Sequence, residues 1–465
     1  MSKLAPARRV ALHVVSERRR RNGHVRDLLR TSEQMAALTV RDRALASRLV
    51  LGTVSAEGML DRVLMRFVKR PSSLEPRVRD ALRLATFEAC YLDTASSIVV
   101  SQGVELVRSV APRAAGMANA VLRRVVAEAR PEVVAARARV EEGSCTIDDQ
   151  ALVSGLPTWL LARVRDARGE VAARDVALAQ LEAAPVYAAS NRAMHDDEEA
   201  YELLRDAGVT PEPAALPGSF ALRTPTPLAS SGLVMSVDVV VSDLAAQQVA
   251  RIVAPRPYER VLEVGQGRGT KSLLLQNAAL ASGVFCDIVG VDSEAFKTRV
   301  ASQRMATAGL EDHVTCRTFD ARNLADDKLP EQLGRTFDVV FVDAPCSGTG
   351  TMRRHPEIAW SLSEDALVGQ GSLPELQLQI LTAASSRVCE GGRLVYATCS
   401  LLPEENEQVV AAFLASEAGQ GFITERVVID ADAFAPCVTD EGFFQSVPAR
   451  ESCDGHFAAT LRRLR

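Results

Sequence analysis

The sequence of 465 residues lacks long apolar runs. A membrane-spanning helix needs about 18 or more consecutive apolar residues, and no stretch approaches that length. The segment from Met1 to Arg21 has no continuous apolar core ahead of its four terminal arginines, so it does not resemble a secretory signal. Hydrophobic residues make up 47% and charged residues 24%, as in folded globular proteins. We therefore expect a soluble, cytoplasmic protein with no membrane partner.

The sequence also lacks paired cysteines and is poor in aromatic residues. Nine cysteines are present, an odd number, and none forms a C-x-x-C pair. Cys389 and Cys399 are nearest neighbours and lie ten positions apart, so we expect free thiols, no disulfide framework and no bound metal. With 5% aromatic residues, the chain offers no evident stacking platform, which favours recognition of a partner by charge and shape.

Charge is distributed unevenly along the chain. Residues 1–130 contain 24 Lys+Arg and 12 Asp+Glu, whereas the remainder contains 30 and 47, giving the whole chain a net charge of −5. A basic N-terminal part on an acidic body is expected when a polyanion is held by one part of a molecule. A solvated helical surface rich in arginine explains the same count, so charge alone leaves nucleic-acid binding open.

The spacing of apolar residues predicts helices over residues 6–129, as in the pattern Leu45, Leu49 and Val50 between charged faces. We assign residues 1–135 to an all-helical module. The less regular segment 136–235 is interpreted as a connecting subdomain. No internal repeat of useful length is evident.

From about residue 236, short apolar runs alternate with helix-like segments. The runs are Arg260–Val264, Ile288–Val291, Phe337–Val342 and Gly392–Ala397. This alternation predicts a doubly wound α/β domain over residues 236–465, with a central, mostly parallel sheet. Ligands bind beyond the carboxyl ends of such strands, so the residues after each run are the candidates for function.

A glycine-rich loop follows the first run. It consists of Gly265, Gln266, Gly267, Arg268, Gly269, Thr270 and Lys271. Glycines let the backbone turn sharply and approach a ligand closely, and the helix that follows presents free N–H groups. Asp292 ends the second run, where it can bond a ribose, and Asp320 follows in a position to approach an adenine edge. Together they favour a nucleoside site, although Asp320 alone is equally typical of a turn.

Two cysteines follow the last two runs. Cys346 lies in the segment that begins Asp343-Ala-Pro-Cys, and Cys399 lies at the end of its strand. A single buried cysteine is usually a small apolar core residue. Two thiols at the ends of two strands face one crevice, and together with Asp343 they favour nucleophilic chemistry.

Two long motifs carry a family resemblance. The stretch from Phe337 to Trp360 resembles motif IV of the RNA cytosine-5 methyltransferases, and the stretch from Gly391 to Asn406 resembles their motif VI. The segment Asp454-Gly-His-Phe457 is similar to the closing D-G-F-F strand of the family, with a histidine in place of an aromatic residue. The helical segment Ala118–Arg123 is similar to the NusB-like domain of the RsmB (Sun/Fmu)-type branch.

The resemblance implies a Rossmann-like class I methyltransferase domain, S-adenosylmethionine as methyl donor and a cytosine of small-subunit ribosomal RNA as acceptor. It implies that Cys399 is the nucleophile, that Cys346 helps to release the product, and that Asp343 is a partner of donor and base. It further implies Asp292 at the donor ribose and Asp320 at its adenine.

One departure concerns the glycine-rich loop, which the resemblance puts at the methionine end of the donor. The family usually reads D-x-C-A-A-P-G-G-K, whereas this chain keeps the closing Lys271 but begins Glu263-Val-Gly-Gln. The loop is closer to that of the wider class of methyltransferases. We therefore expect donor binding to persist with altered contacts.

Bond chemistry agrees with these roles. Carbon 5 of cytosine is a poor nucleophile, so a thiolate must first add to carbon 6, and a protonated Asp343 could assist at ring nitrogen 3. The base must leave its stack, which favours loosely paired RNA. Arg353, Arg354 and His355 are candidates for phosphate contacts, with a solvated basic turn as the alternative.

Three other functions stay open at this point. The same chemistry could act on another RNA, such as transfer RNA. The chain could instead be a non-catalytic RNA-binding or antitermination protein that lost turnover through its altered loop. A DNA cytosine methyltransferase would use the cysteine of a Pro-Cys loop, here Cys346, as its nucleophile. We expect a monomer, and the target nucleotide is not determined by the sequence.

Overall fold

The computed structural model describes residues 4–21, 23–68, 74–450 and 452–464. They form two compact units. The helical unit comprises Met1–Ala183, Thr351–Leu362 and Pro448–Arg450, and the sheet unit comprises Ala184–Gly350, Ser363–Val447 and Glu451–Arg465. The functional domain boundaries that we place at residues 135 and 235 stay predictions.

The helical unit confirms the all-helical N-terminal module. Its principal helices are α1 (Pro6–Arg21), α2 (Val25–Thr31), α3 (Glu33–Ala36), α4 (Val40–Ser55), α5 (Glu57–Met65), α6 (Pro76–Tyr91), α7 (Ser96–Val110), α8 (Ala115–Arg124), α9 (Arg130–Glu142), α10 (Ile147–Ser154) and α11 (Thr158–Ala179). A one-turn helix at Ile358–Ser361 also belongs to this unit. Helices thus continue well beyond residue 129.

Helix α6 is the central helix of this unit. It begins at Pro76, whose fixed φ suits the first turn of a helix, and it is buried from Ala81 to Cys90 without a break. Buried charge on α6 is paired, because Asp80 accepts hydrogen bonds from Ser16 Oγ at 2.9 Å and Arg19 Nε at 3.1 Å. Unpaired, such a carboxylate would be costly to bury.

The sheet unit begins with a small antiparallel sheet. Its strands are β1 (Tyr187–Ser190), β2 (Pro211–Pro213), β3 (Ser219–Leu222) and β4 (Val239–Val241), in the order β2-β3-β1-β4. Helices α12 (Asp197–Asp206) and α13 (Leu228–Ser231) lie between these strands in sequence. Ala188 and Phe220 form one cross-strand pair and share a small apolar cluster.

The large sheet follows and is mostly parallel. Its strands are β5 (Arg260–Val264), β6 (Asp287–Asp292), β7 (Val314–Thr318), β8 (Phe337–Asp343), β9 (Val388–Thr398), β10 (Phe422–Glu425), β11 (Phe444–Gln445) and β12 (Phe457–Arg463). The order is β10-β12-β9-β8-β5-β6-β7, with β11 paired to β12. Strands β5 to β9 pair in parallel, whereas β10, β11 and β12 pair antiparallel.

The predicted α/β class is confirmed by these strands and by the helices between them. The helices are α14 (Leu244–Val253), α15 (Thr270–Leu280), α16 (Ala295–Thr307) and two more at Leu373–Ser385 and Glu407–Ala415. Alternate residues of one strand enter two separate cores: Val339 and Phe341 pack in one, and Val340 and Val342 in the other. Both faces of the sheet are therefore covered, which explains why its strands read as continuous apolar runs.

The strand order places the candidate residues at one edge of the sheet. Since β5 to β9 are parallel, their carboxyl ends meet at that edge, and the order reverses between β5 and β8. The glycine-rich loop follows β5, Asp292 ends β6, Asp343 ends β8, and Cys399 follows β9. We call this edge the carboxyl edge.

Candidate active site

The glycine-rich loop fits closely between the ends of β6 and β8. Gly265, Gly267 and Gly269 have φ angles of 81°, 60° and 77°, which favour glycine. The N–H groups of Gly265 and Gln266 donate to Val291 O at 2.9 and 3.0 Å. A Cβ on Gly265 would overlap the carbonyl oxygen of Asp343, so the loop could not approach β8 with any other residue there.

A buried polar network stabilises the glycine-rich loop. Ser272 Oγ donates to Glu263 Oε2 at 2.5 Å, and Gln266 Nε2 donates to Ser272 Oγ at 3.0 Å. The Gln266 side chain lies directly over Gly290, where a Cβ would overlap it. Burial raises the pKa of Glu263 to about 8, so this carboxyl group is mostly neutral at neutral pH. This network was not anticipated from the sequence, although Glu263 and Gln266 stand at the positions where the loop departs from the family pattern.

Asp292 and Asp320 both reach the carboxyl edge next to the loop. The Asp292 carboxylate accepts from Gly267 N at 3.1 Å and from Glu294 N at 2.8 Å, so it links β6 to the loop. Asp320 follows β7, and the intervening Phe319 N donates to Asp292 O at 3.0 Å. Arg322 donates to both oxygens of Asp320, at 3.1 and 2.6 Å, and this contact lowers the pKa of Asp320.

Asp343 and Lys271 form an ion pair at the centre of the site. Lys271 Nζ lies 2.6 Å from Asp343 Oδ2, and the two side chains are 17% and 26% exposed. Burial lowers the pKa of Lys271, but the charge and hydrogen bond of Asp343 more than offset this, so the pKa is raised overall. The Lys271 amine therefore lies beside Asp343, the residue that the family resemblance makes a partner of the methyl donor and of the target cytosine.

The two cysteines from β8 and β9 come together. Their sulfur atoms are 3.2 Å apart, and Cys399 N donates to Cys346 Sγ at 3.3 Å. Both residues are partly exposed. The hydrogen bond from Cys346 lowers the pKa of Cys399 and outweighs the effect of burial, which raises it, whereas the same contact and burial raise the pKa of Cys346. Cys399 is therefore the thiol of the pair that ionises more readily.

The buried carboxylate of Glu405 ties the two cysteine loops together. It accepts hydrogen bonds from Ser347 N at 2.7 Å and Ser347 Oγ at 2.5 Å in one loop, and from Ser400 Oγ at 2.6 Å in the other. Gln377 Nε2 adds a fourth, at 3.0 Å. Sequence reasoning missed this role, although Glu405 lies in the same motif as Cys399.

Arg353, Arg354 and His355 belong to the helical unit. Arg353 is buried and donates to Ala449 O at 3.0 Å, so its guanidinium group has a packing role. Arg354 is half-buried, and its carbonyl oxygen accepts a hydrogen bond from Arg26. His355 is exposed. Contacts of these three residues with RNA stay a prediction.

The described residues contain no cluster of three or more His, Cys, Asp or Glu side chains arranged to hold a metal ion. Within the same ranges, no helix is both long and apolar enough to cross a membrane. All nine cysteines are free thiols.

Known proteins resemble this chain over most of its length. The family model "16S rRNA methyltransferase RsmB/F" matches residues 250–462, and the NusB family model matches residues 5–127. Ribosomal RNA small subunit methyltransferase B of Thermus thermophilus is 31% identical over 446 residues, which cover 96% of this chain and 94% of that protein. The protein of the same name from Klebsiella pneumoniae is 28% identical over 433 residues, 91% of each chain. The crystal structure of PH0851 has the same fold, with a TM-score of 0.76 at 22% identity over 100% of both chains.

Proposed function

This chain belongs to the 16S rRNA methyltransferase RsmB/F family, and from that premise we propose that it methylates carbon 5 of a cytosine in small-subunit ribosomal RNA through a covalent bond to Cys399. Its methyl donor is S-adenosylmethionine, and its substrate class is ribosomal RNA. The NusB match supports RNA as the partner of the N-terminal region. The observation that carries the cytosine chemistry is the 3.2 Å contact between the sulfurs of Cys346 and Cys399.

The carboxyl edge fits the donor. The positive φ angles of the loop glycines and the absence of a Cβ at Gly265 let the loop lie directly against the end of β8, at the edge where sheets of this kind bind their ligands. In our proposal the glycine-rich loop and Asp343 face the methionine end of the donor, and Asp292 and Asp320 face its ribose and adenine. S-adenosylmethionine, when bound, supplies a methyl group on a positively charged sulfur.

In the first step, the Cys399 thiolate forms a bond to carbon 6 of the cytosine. The electron pair of the C5–C6 double bond moves toward carbon 5 and ring nitrogen 3, which then takes a proton or a hydrogen bond. We assign that proton or hydrogen bond to the pair formed by Lys271 and Asp343, in which the Lys271 amine carries the proton. The lowered pKa of Cys399 favours this step, because the thiolate is the nucleophile.

In the second step, carbon 5 uses that electron pair to bond the methyl group, ring nitrogen 3 gives up the proton it took, and carbon 5 then loses its hydrogen as a proton to a base. The electrons of that C–H bond restore the C5–C6 double bond, and the bond between sulfur and carbon 6 breaks. Cys346 is the group nearest to the departing sulfur, which supports a role in this elimination. The raised pKa of Cys346 argues against the alternative in which this residue attacks the ring.

Two cysteine variants test this division of roles. Cys399→Ala should abolish methylation and leave the affinity for S-adenosylmethionine nearly unchanged. Cys346→Ala should add to the ring but stall in elimination, so a covalent protein–RNA adduct should accumulate and run as a shifted band on a denaturing gel. Cys389→Ala is the matched control, because Cys389 lies at the other end of β9. Full activity of Cys399→Ala with loss in Cys346→Ala would reverse the assignment.

The choice of RNA needs a separate measurement. Bisulfite mapping of ribosomal and transfer RNA from cells with and without the gene identifies every cytosine that depends on this protein. We expect the dependent position in 16S ribosomal RNA. A dependent position in transfer RNA alone would refute the substrate but keep the chemistry, and failure to bind the donor at millimolar concentration would favour a non-catalytic RNA-binding protein.

A further inference from the structure

A cavity lies at the edge of the large sheet opposite the carboxyl edge, which holds the two cysteines. Its volume is about 440 Å³, and its lining includes Arg393 of β9, Arg462 of β12, Arg251, Ile252 and residues 254–257. Arg393 precedes Cys399 by six positions on a nearly straight strand, so the cavity is roughly 20 Å from the reactive sulfur at about 3.3 Å per residue. It is therefore a separate site.

The lining of this cavity is strongly basic. Five arginines line it, against the two carboxylates of Glu425 and Asp430. Two of the five are already occupied: Arg462 donates to both oxygens of Glu425 at 2.8 Å, and Arg393 donates to Glu259 at 2.5 Å. The remaining three arginines set the charge that faces the cavity.

Those three arginines are incompletely satisfied. Arg256 and Arg426 are exposed, and their guanidinium groups have no hydrogen-bond or carboxylate partner among the described residues. Arg251 is 3.4 Å from Asp430, but its Nε atom is buried without a partner in the same part of the chain. Guanidinium groups bind phosphate oxygens in a forked geometry, so unfilled donors around a cavity of this size fit a phosphate group.

A strained loop presents one of these arginines. Ala254 and Tyr258 have φ angles of 40° and 67°, values that residues other than glycine adopt rarely and at a cost. Arg393 holds the loop by donating to the carbonyl oxygens of Val253 at 3.0 Å and Ala254 at 3.1 Å. The loop ends in Tyr258, which is 85% exposed and thus offers its ring to solvent.

We infer that this cavity binds the phosphodiester backbone of the RNA substrate, with Tyr258 stacking on an unpaired base next to it. The inference rests on the proposed function, which makes RNA the partner. Base stacking on an exposed aromatic ring together with arginine contacts to phosphate is how proteins commonly hold unpaired RNA. At about 3.4 Å per stacked nucleotide, the separation from Cys399 corresponds to roughly six nucleotides, so only RNA longer than this engages both sites.

The test compares two charge-reversal variants of the full chain. The cavity variant combines Arg256→Glu and Arg426→Glu. The matched control combines Arg205→Glu and Arg335→Glu, exposed arginines paired within their own segments and absent from the cavity lining, with the same change in net charge. Binding of in vitro transcribed 16S ribosomal RNA is measured by filter retention over a range of KCl concentrations, and S-adenosylmethionine affinity is measured in parallel.

The cavity variant should bind the RNA at least about tenfold more weakly than the control, with unchanged donor affinity. The slope of log affinity against log salt should fall in magnitude by about 1.4 to 1.8, the value for two lost phosphate contacts. Tyr258→Ala should weaken binding about tenfold without changing the slope.

Several results would overturn the inference. Equal RNA affinity and an equal slope of log affinity against log salt in the cavity and control variants would refute the RNA contact at the cavity. Such a result would leave the proposed methylation unaffected. Thermal stabilisation of the unaltered protein by millimolar inorganic phosphate, lost in the cavity variant without any change in RNA binding, would make this a free-phosphate site. Failure of the unaltered protein to bind ribosomal RNA would refute both this inference and the proposed substrate.

Discussion

Replacing Gly265 by alanine is the most direct test of how the glycine-rich loop is positioned. The substitution has two separable costs. A non-glycine residue at a φ of 81° costs about 1–2 kcal/mol from backbone strain alone. The new Cβ would also overlap the carbonyl oxygen of Asp343, and that atom belongs to the end of β8 rather than to a movable side chain.

The size of the second cost follows from the geometry. The loop or the end of β8 must move by about 1 Å before non-bonded atoms regain separations of about 3.5 Å. A displacement of about 1 Å in positioned reacting groups can lower a rate by about 100-fold. Asp343 also pairs with Lys271, so the movement disturbs the ion pair as well as the loop. We expect a loss of donor affinity of at least about tenfold and a loss of methylation of about 100-fold.

Gly283→Ala is the matched control for this experiment. Gly283 has a φ of 76°, nearly the same strain, but nothing lies within 4 Å of a Cβ built on it. Backbone strain should lower the unfolding temperature of both variants, and the overlap with Asp343 should lower that of Gly265→Ala further. Calorimetric titration with S-adenosylmethionine should show weaker binding in Gly265→Ala alone. Equal donor affinity and equal methylation rates in the two variants would refute the argument that contact with Asp343 sets the position of the loop.

Three further predictions concern buried carboxyl groups. Burial raises the pKa of Glu263 from 4.5 to about 8, so its contribution to stability is present below pH 4.5 and is lost as the pH rises through 8. The free energy of unfolding of Glu263→Gln should therefore vary less with pH than that of the parent, by a few kcal/mol over this range. The same pH dependence of unfolding in variant and parent would contradict this. Glu405→Ala removes the acceptor of four hydrogen bonds and should cost about 3 kcal/mol in urea unfolding together with most of the activity, with partial rescue by Glu405→Gln. Unchanged stability would refute the structural role of Glu405. Asp80→Ala should destabilise the helical unit by about 3 kcal/mol, whereas the fully exposed Asp93→Ala should change stability by less than about 0.5 kcal/mol; equal effects would rule out the buried hydrogen bonds as the cause.

The positions of the candidate residues at the strand ends could be predicted, because they depend only on where the apolar runs lie in the sequence and on the order of the strands along the chain. Parallel strands bring their carboxyl ends together, so residues separated by many positions, such as Cys346 and Cys399, had to lie at one edge. The fold class could be predicted for the same reason, since continuous apolar runs indicate strands covered on both faces. The 3.2 Å contact between the two sulfurs agrees with the prediction that both cysteines face one crevice.

Contacts between side chains of distant segments could not be predicted in this way. Gln266 covers Gly290 only because β5 and β6 pair in a particular register, and no local pattern encodes that register. Glu405 bonds Ser347, which is 58 positions away. The burial of Arg353 against Ala449 depends likewise on packing, since a run of basic residues in the sequence favours a solvated turn.

The two thiols of the site differ in pKa although their side chains are identical, and the cause lies in their neighbours. Two sulfurs 3.2 Å apart do not both ionise readily, so the pair releases one proton and shares one charge through the hydrogen bond between them. The negative charge of Glu405 raises the pKa of both thiols and so does not discriminate between them, whereas at Cys399 the charge of Asp343 raises the pKa and the charge of Lys271 lowers it. Lys271 is the residue that the altered loop retains from the family pattern. Retention of Lys271 therefore keeps a positive charge beside Cys399 that opposes the charge of Asp343, although the residues before it in the loop differ from the family pattern.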